Sequence, residues 1–216
     1  MQQLLTGKKR LVNPETGKVF EGNWKHYSFG EIVKIQVKKY DPRTETVSLP
    51  CIELEHLSQD TGRILSTANS LELASIKNRF HKGDVLFGKL RPYLKKFAYP
   101  DFDGVCSTEI WVLKATSKIV SEYLYHFVQT NIFVSEANKS AGSKMPRADW
   151  GVVSELVLKL PSLKEQQKIA SVLTAADQEI ELLEAKLAHL KDEKKALMQQ
   201  LLTGKRRVKI DAAEVA

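Results

Sequence analysis

The sequence predicts an α+β chain: one mixed α/β domain followed by a long C-terminal coiled-coil helix. Three observations predict it. Apolar residues recur at alternating spacings of four and three through the C-terminal part. Short segments rich in Val, Ile, Phe and Tyr, punctuated by Gly and Pro, fill the middle. The opening residues MQQLLTGKKR, Met1 to Arg10, return as MQQLLTGKRR, Met198 to Arg207, with only Lys9 and Arg206 differing. So close a copy reads as one period of a unit built to be repeated, to be sought in a two-fold arrangement. A recent duplication or cloning scar is the alternative; the copy's junction with a strongly patterned helix favours the structural reading.

Each element follows in order. Residues 1–12 read as the end of a helix closing at Gly7, and Asn13–Gly22 (NPETGKVFEG) is a turn-rich linker. A domain over 23–160 begins at Asn23-Trp24. Its expected strands are Gly30–Lys38, Ser48–Leu54, Asp84–Lys89, Leu94–Tyr99, Gly104–Lys114 and Val152–Leu160. In the fifth of these, Cys106, Thr108, Ile110 and Val112 share a face. One helix is expected over Ser117–Asn138, burying Tyr123, Phe127, Phe133 and Val134, followed by the loop Ser140–Arg147. The final helix, 161–204, starts at Pro161-Ser162, where Ser162 and Glu165 have capping-box spacing, and stops at Gly204. Its seam is Ile169, Leu173, Ala176, Ile180, Leu183, Leu187, Leu190, Lys194, Leu197 and Leu201, broken only by Lys194. Such a stripe demands a partner helix, with Lys194 helping to set register. A tail, 205–216, is basic and then acidic.

Composition narrows the function. The chain has 216 residues, a net charge of +7 and two cysteines. Cys51 and Cys106 are too few for a disulfide framework and read as reduced, half-buried strand residues of a cytoplasmic protein. No apolar run reaches the length of a membrane span, and the N-terminus is no signal peptide. The window Lys77–Tyr99 holds seven basic residues against one acid, Asp84, with Phe80, Phe87, Tyr93, Phe97 and Tyr99 interleaved. Basic clusters attract phosphate backbones, so the expected ligand is nucleic acid.

Catalytic signatures are scarce. Gly83-Asp84-Val85-Leu86-Phe87-Gly88-Lys89 fits G-x-x-x-x-G-K, but Leu90 stands where a phosphate loop needs Ser or Thr, and Arg91-Pro92 follows. The five histidines are scattered, and no paired metal-ligand spacing, nucleophile elbow or amino-methyltransferase Asn/Asp-Pro-Pro-aromatic motif occurs. The chain therefore reads as a non-catalytic reader with no cofactor or metal of its own. Two loops carry suitable donors: Lys89, Arg91, Tyr93, Lys95 and Lys96 on one, Ser143, Lys144 and Arg147 on the other. Two alternatives stay open, a nucleotide enzyme using Gly83–Lys89 and a coiled-coil interaction module whose domain binds DNA without sequence choice.

Four stretches carry a family resemblance. They are Trp24 leading into Phe29-Gly30-Glu31, the run Gly83–Pro92, Asp103–Glu109, and LPSLKEQQKI from Leu160 to Ile169 running on to Leu201-Leu202-Thr203-Gly204. Together they resemble the specificity subunit of type I restriction–modification systems, over nearly the whole chain. That family has two target-recognition domains, each followed by a conserved helix, with the helices antiparallel; this sequence resembles one half. The resemblance implies cytoplasmic DNA recognition directing adenine methylation and restriction to a bipartite target. It implies a methyltransferase (modification) subunit that binds S-adenosylmethionine and a restriction motor subunit that uses ATP. For a half-length form it implies a homodimer, paired through Ile169, Leu173, Ile180, Leu183, Leu187, Leu190, Leu197 and Leu201.

Overall fold

The computed structural model describes residues 1–36, 38–139 and 145–207. The chain divides between Ser171 and Val172 into two compact units.

The first unit opens with α1 (Gln2–Leu5), which ends at a left-handed Gly7. Leu5 is buried, and its carbonyl accepts the Tyr123 hydroxyl at 3.3 Å. β1 (Lys25–Ser28) leads directly into a helical turn, α2 (Phe29–Ile32), where a strand was expected from Gly30. The reason is local: the Glu31 carboxylate accepts the Ser28 amide at 2.8 Å, a capping box that starts a turn. Phe29, fully buried, packs against Phe133 and Trp150 at ring distances of 5.1 and 5.8 Å. The rest of the expected strand survives as β2 (Val33–Ile35).

Two sheets form the body. The remaining strands are β3 (Lys39–Tyr40), β4 (Pro50–Ile52), β5 (Ala68–Asn69), β6 (Lys77–Phe80), β7 (Val85–Gly88), β8 (Phe97–Ala98), β9 (Gly104–Cys106), β10 (Ile110–Ala115) and β11 (Val157–Leu160). One sheet has the order β2-β10-β7-β8, the other β3-β6-β9-β4-β5, and β1 pairs with β11 as a separate ribbon. Ile52, Phe80 and Cys106 from the five-stranded sheet meet Leu86, Ala98, Ile110 and Val112 from the four-stranded sheet in a common apolar core. All pairings within the sheets are antiparallel except β4 with β9, which sets Cys51 opposite Val105 and Ile52 opposite Cys106.

Several expectations are corrected. The strand expected over Gly104–Lys114 is two, β9 and β10, joined by a turn in which the Ile110 amide donates to the Ser107 carbonyl at 3.0 Å. Thr108 is thereby exposed, while Cys106, Ile110 and Val112 keep their common core. The helix expected over Ser117–Asn138 is likewise two, α3 (Ser121–Phe127) and α4 (Asn131–Asn138), because the Thr130 hydroxyl caps a new start by accepting the Phe133 amide at 3.3 Å. The four aromatic and aliphatic side chains named for it are buried. The strand expected from Val152 is preceded by α5 (Trp150–Ser154), capped by Asp149, which accepts the Gly151 amide at 2.6 Å. Both cysteines are free and fully buried rather than half-buried.

The helix α6 (Leu163–Leu202) runs for 40 residues, a length of ~60 Å at 1.5 Å per residue. Its start is anchored by two buried polar residues. Glu165 accepts a two-pronged contact from the Arg10 guanidinium, Nε to Oε1 at 2.6 Å and Nη2 to Oε2 at 2.8 Å. The expected capping box is therefore half formed: Ser162 accepts the Glu165 amide at 3.4 Å, but the carboxylate is turned to Arg10. Gln166 accepts the Val120 amide at 2.9 Å and donates to the carbonyls of Lys118 and Pro161 at 3.1 and 3.0 Å. The Glu-Gln pair thus locks the helix start to the N-terminal segment and to the approach to α3. Ile169 is buried within this first unit, so that seam position is already occupied by the chain's own core. Leu173 is also buried. From Ile180 through Leu183, Leu187, Leu190, Leu197 and Leu201 the seam is exposed. Among the described residues no helix is long and apolar enough to cross a membrane.

Candidate nucleic-acid interface

A loop between β7 and β8 carries most of the predicted DNA contacts. Its neck is closed by the Gly88 amide, which donates to the Lys96 carbonyl at 2.7 Å. At its tip Pro92–Leu94 form a single 3-10 turn, and the residues on either side, Arg91 and Lys95, are both left-handed, with φ of 52° and 46°. A non-glycine residue held there costs about 1–3 kcal/mol, and persists where the surroundings impose it. Here the imposing contacts are explicit. The Arg91 amide donates to the Pro146 carbonyl at 2.7 Å, and the Lys95 carbonyl accepts the Asp60 amide at 3.0 Å.

Those contacts join three segments into one surface. Leu90 bridges Arg147, and the Ala148 amide donates to the Lys89 carbonyl at 2.8 Å, so the first loop and the end of the second run as a paired ribbon. On the other side Gln59 bridges Lys96. That third segment is a hairpin over residues 57–64, closed by a Leu57–Ile64 bridge, with left-handed Asp60 and Gly62 at its tip. Sequence reasoning missed it, although Asp60-Thr61-Gly62 is turn chemistry.

The named side chains differ in what they are free to do. Arg91 and Tyr93 are exposed and Lys89 is half-buried, and none of the three has a side-chain hydrogen bond or ion pair among the described residues. Arg147 is exposed but pairs with Glu109 at 3.0 Å. Lys95 pairs with Asp60 at 3.3 Å. Lys96 is directed inward, its Nζ donating to the Leu54 carbonyl at 2.5 Å. It braces the hairpin rather than projecting into solvent. Ser143 and Lys144 lie outside the described residues. Of the interleaved aromatics, Phe80, Phe87 and Phe97 are buried and Tyr99 is half-buried against Tyr125, which leaves Tyr93 as the exposed ring.

The basic window is also divided. Lys77 is buried and ion-paired with Glu53, with Ser75 accepting a second bond at 2.7 Å, so that charge serves the five-stranded sheet. The three segments bring together Lys89, Arg91, Lys95, Arg147 and the half-buried Arg63, with the carboxylates of Asp60 and Glu109 paired to Lys95 and Arg147, while Lys96 is turned inward. A cationic rim with one uncommitted Arg at an imposed backbone angle suits the edge of a base or a phosphate.

The phosphate-loop alternative is not supported. Residues Val85–Gly88 form a fully buried central strand, and the Lys89 amide donates to the Glu109 carbonyl at 2.9 Å. The amides that would cradle phosphates are spent on the sheet. Among the described residues no group of His, Cys, Asp and Glu is placed to hold a metal ion.

The family model described as the type I restriction modification DNA specificity domain matches residues 21–192. The chain belongs to this family. Among curated members of the type I specificity group it is similar to the EcoDI specificity subunit of Escherichia coli, 28% identical over 164 residues, covering 74% of this chain and 36% of that protein. It is also similar to the MjaVIII specificity subunit of Methanocaldococcus jannaschii, 25% identical over 217 residues, covering 93% of this chain and 50% of that one. The chain thus spans half or less of the length of these specificity subunits. The crystal structure of the HsdS subunit from Thermoanaerobacter tengcongensis superimposes with a TM-score of 0.65 at 24% identity, covering 84% of this chain and 49% of that one. A chain from a structure of type I R-M complex assembly gives a TM-score of 0.67 at 23% identity, over 89% of this chain and 52% of that one. The specificity-domain fold, sheets followed by one long helix, is shared.

Proposed function

We propose that this specificity domain reads a short DNA half-site through the surface made by residues 57–64, 88–96 and 145–148, and supplies an address rather than chemistry. The observation that carries the reading is Arg91: exposed, uncommitted and held in a left-handed conformation by Pro146 from a second loop. In this reading two copies pair through the exposed leucines of α6 as a coiled coil. Each carries one recognition domain, and the pair selects a split, palindromic target. The half-sites then lie one DNA turn (~34–36 Å) or somewhat more apart. Partners are double-stranded DNA, a modification subunit that binds S-adenosylmethionine and flips out an adenine, and an ATP-driven restriction subunit, in the cytoplasm. No cofactor is assigned to this chain.

Selection from random double-stranded DNA, with and without the modification subunit, tests the reading. A two-part consensus supports it. Enrichment of no sequence supports the competing interaction module with non-specific DNA binding. Light scattering at high micromolar concentration tests the pairing, which fails if the chain stays monomeric alone and with the modification subunit present.

A further inference from the structure

The two copies of the repeated decapeptide share one local conformation. In each, the Thr hydroxyl donates to the Gln carbonyl four residues back, Thr6 to Gln2 at 2.8 Å and Thr203 to Gln199 at 2.6 Å. In each, the Gly amide donates to a Leu carbonyl, Gly7 to Leu4 at 3.3 Å and Gly204 to Leu201 at 3.2 Å. The next amides reach back alike, Lys9 to Gln3 and Arg206 to Gln200, both at 3.0 Å, and the glycines sit at φ of 72° and 70°. The environments differ. Leu5 is 3% exposed, whereas its counterpart Leu202 is 81% exposed. Arg10 forks onto the buried Glu165, whereas its counterpart Arg207 is exposed and has no side-chain partner among the described residues.

We propose that the seat formed by Trp24, Tyr123 and Glu165 is a docking site for the Met198–Arg207 segment of a second copy of this chain, in exchange for Met1–Arg10. Every group the seat grips is repeated in the second segment: a leucine for the pocket, a left-handed glycine that lies against Trp24, and an arginine for the carboxylate. The one difference, Lys9 against Arg206, falls at an exposed position. The second segment already holds the docked shape, so seating it costs little ordering entropy. Tethering favours the chain's own N-terminal copy, and a second copy overcomes that advantage only with a further contact. The exposed leucines of α6 are that contact. The exchange makes no use of DNA, but it rests on the pairing of α6 proposed above.

The test uses full chains. One carries a photo-crosslinking amino acid at position 202; the other is isotopically heavy and carries Arg10→Ala, which weakens the resident segment and leaves the seat intact. The expected result is heavy–light adducts on peptides containing Trp24 or Tyr123, with a yield that falls several-fold when the photoactive chain also carries Arg207→Ala. A heavy acceptor with its natural Arg10 gives the same adducts at lower yield, so the result does not hang on the variant's folding. Adducts absent, confined to the photoactive chain itself, or falling only on the partner's residues 163–202 overturn the proposal. Light scattering of the same mixtures reads helix pairing separately.

Discussion

Replacing Gln166 by leucine asks how much one buried amide contributes to docking α6 on the domain. The side chain is 1% exposed and makes three hydrogen bonds, to the Val120 amide and to the carbonyls of Lys118 and Pro161. Leucine fills nearly the same volume, so the cost is polar rather than steric. Lys118 lies at the surface, where water can replace the amide, so its carbonyl adds little. The Val120 amide and the buried Pro161 carbonyl are left without partners, and each such orphan costs about 1–3 kcal/mol. We expect a loss of about 3 kcal/mol, and in a chain of this size a fall in Tm of about 6–12 °C. The assay is urea and thermal unfolding followed by tryptophan fluorescence, since Trp24, Trp111 and Trp150 all lie in the first unit. Gln166→Glu serves as the companion variant. Its carboxylate faces two carbonyls and cannot donate to them, so its pKa rises; stability is recovered at low pH and lost as pH rises through that raised value. An unfolding midpoint for Gln166→Leu indistinguishable from that of the natural chain refutes the reasoning.

Three further outcomes are expected. Arg91→Gly removes the side chain while relieving the left-handed backbone, and weakens the preferred sequence by about 1–3 kcal/mol, relaxing choice at one position in a binding selection. Lys96→Met breaks the brace to Leu54 and lowers thermal stability, while the dependence of DNA affinity on salt changes little; Lys89→Met does the reverse, shallowing the salt slope measured by fluorescence anisotropy without moving the midpoint. Burial holds the His126 imidazole down at about 4 against its ordinary 6.5. The native state resists protonation that the unfolded chain accepts, so the stability contributed by the neutral ring is complete above pH 6.5 and drains away as pH falls towards 4. Urea midpoints measured across that interval fall less steeply in His126→Gln.

The long helix was legible because everything that specifies it is local: Pro161-Ser162 at its start, Gly204 at its end, and an apolar period between them. The buried status of Ile169 was not, since nothing in a seam says which of its positions its own domain will cover. Strands β7 and β8 announced themselves through Val, Leu and Phe, whereas β3, β5 and β6 are short or polar and exist through their neighbours. In β6, the buried Lys77 and Asn78 are satisfied in large part by groups distant in sequence, Glu53 for the first and Lys39 and the Ile110 carbonyl for the second. The same limit applied at the proposed DNA surface. The donors on the 89–96 loop could be read from composition, but the inward direction of Lys96 could not. The hairpin over 57–64 holds a single cation, Arg63, against Asp60, too little to stand out in composition, and joins the surface through the Gln59–Lys96 bridge.

The Leu90–Arg147 bridge and the Arg91–Pro146 bond have a practical consequence for anyone wishing to redirect such a protein. A loop transplanted by itself would arrive with its backbone donors facing carbonyls at unfamiliar positions, and its tip would relax out of the left-handed shape. New specificities are therefore best sought by exchanging the block from Gly88 to Ala148 as a cassette. Its two ends are far apart along the chain yet are stitched together by main-chain bonds, which need an amide donor that only proline lacks and a carbonyl that any residue offers, as Pro146 does.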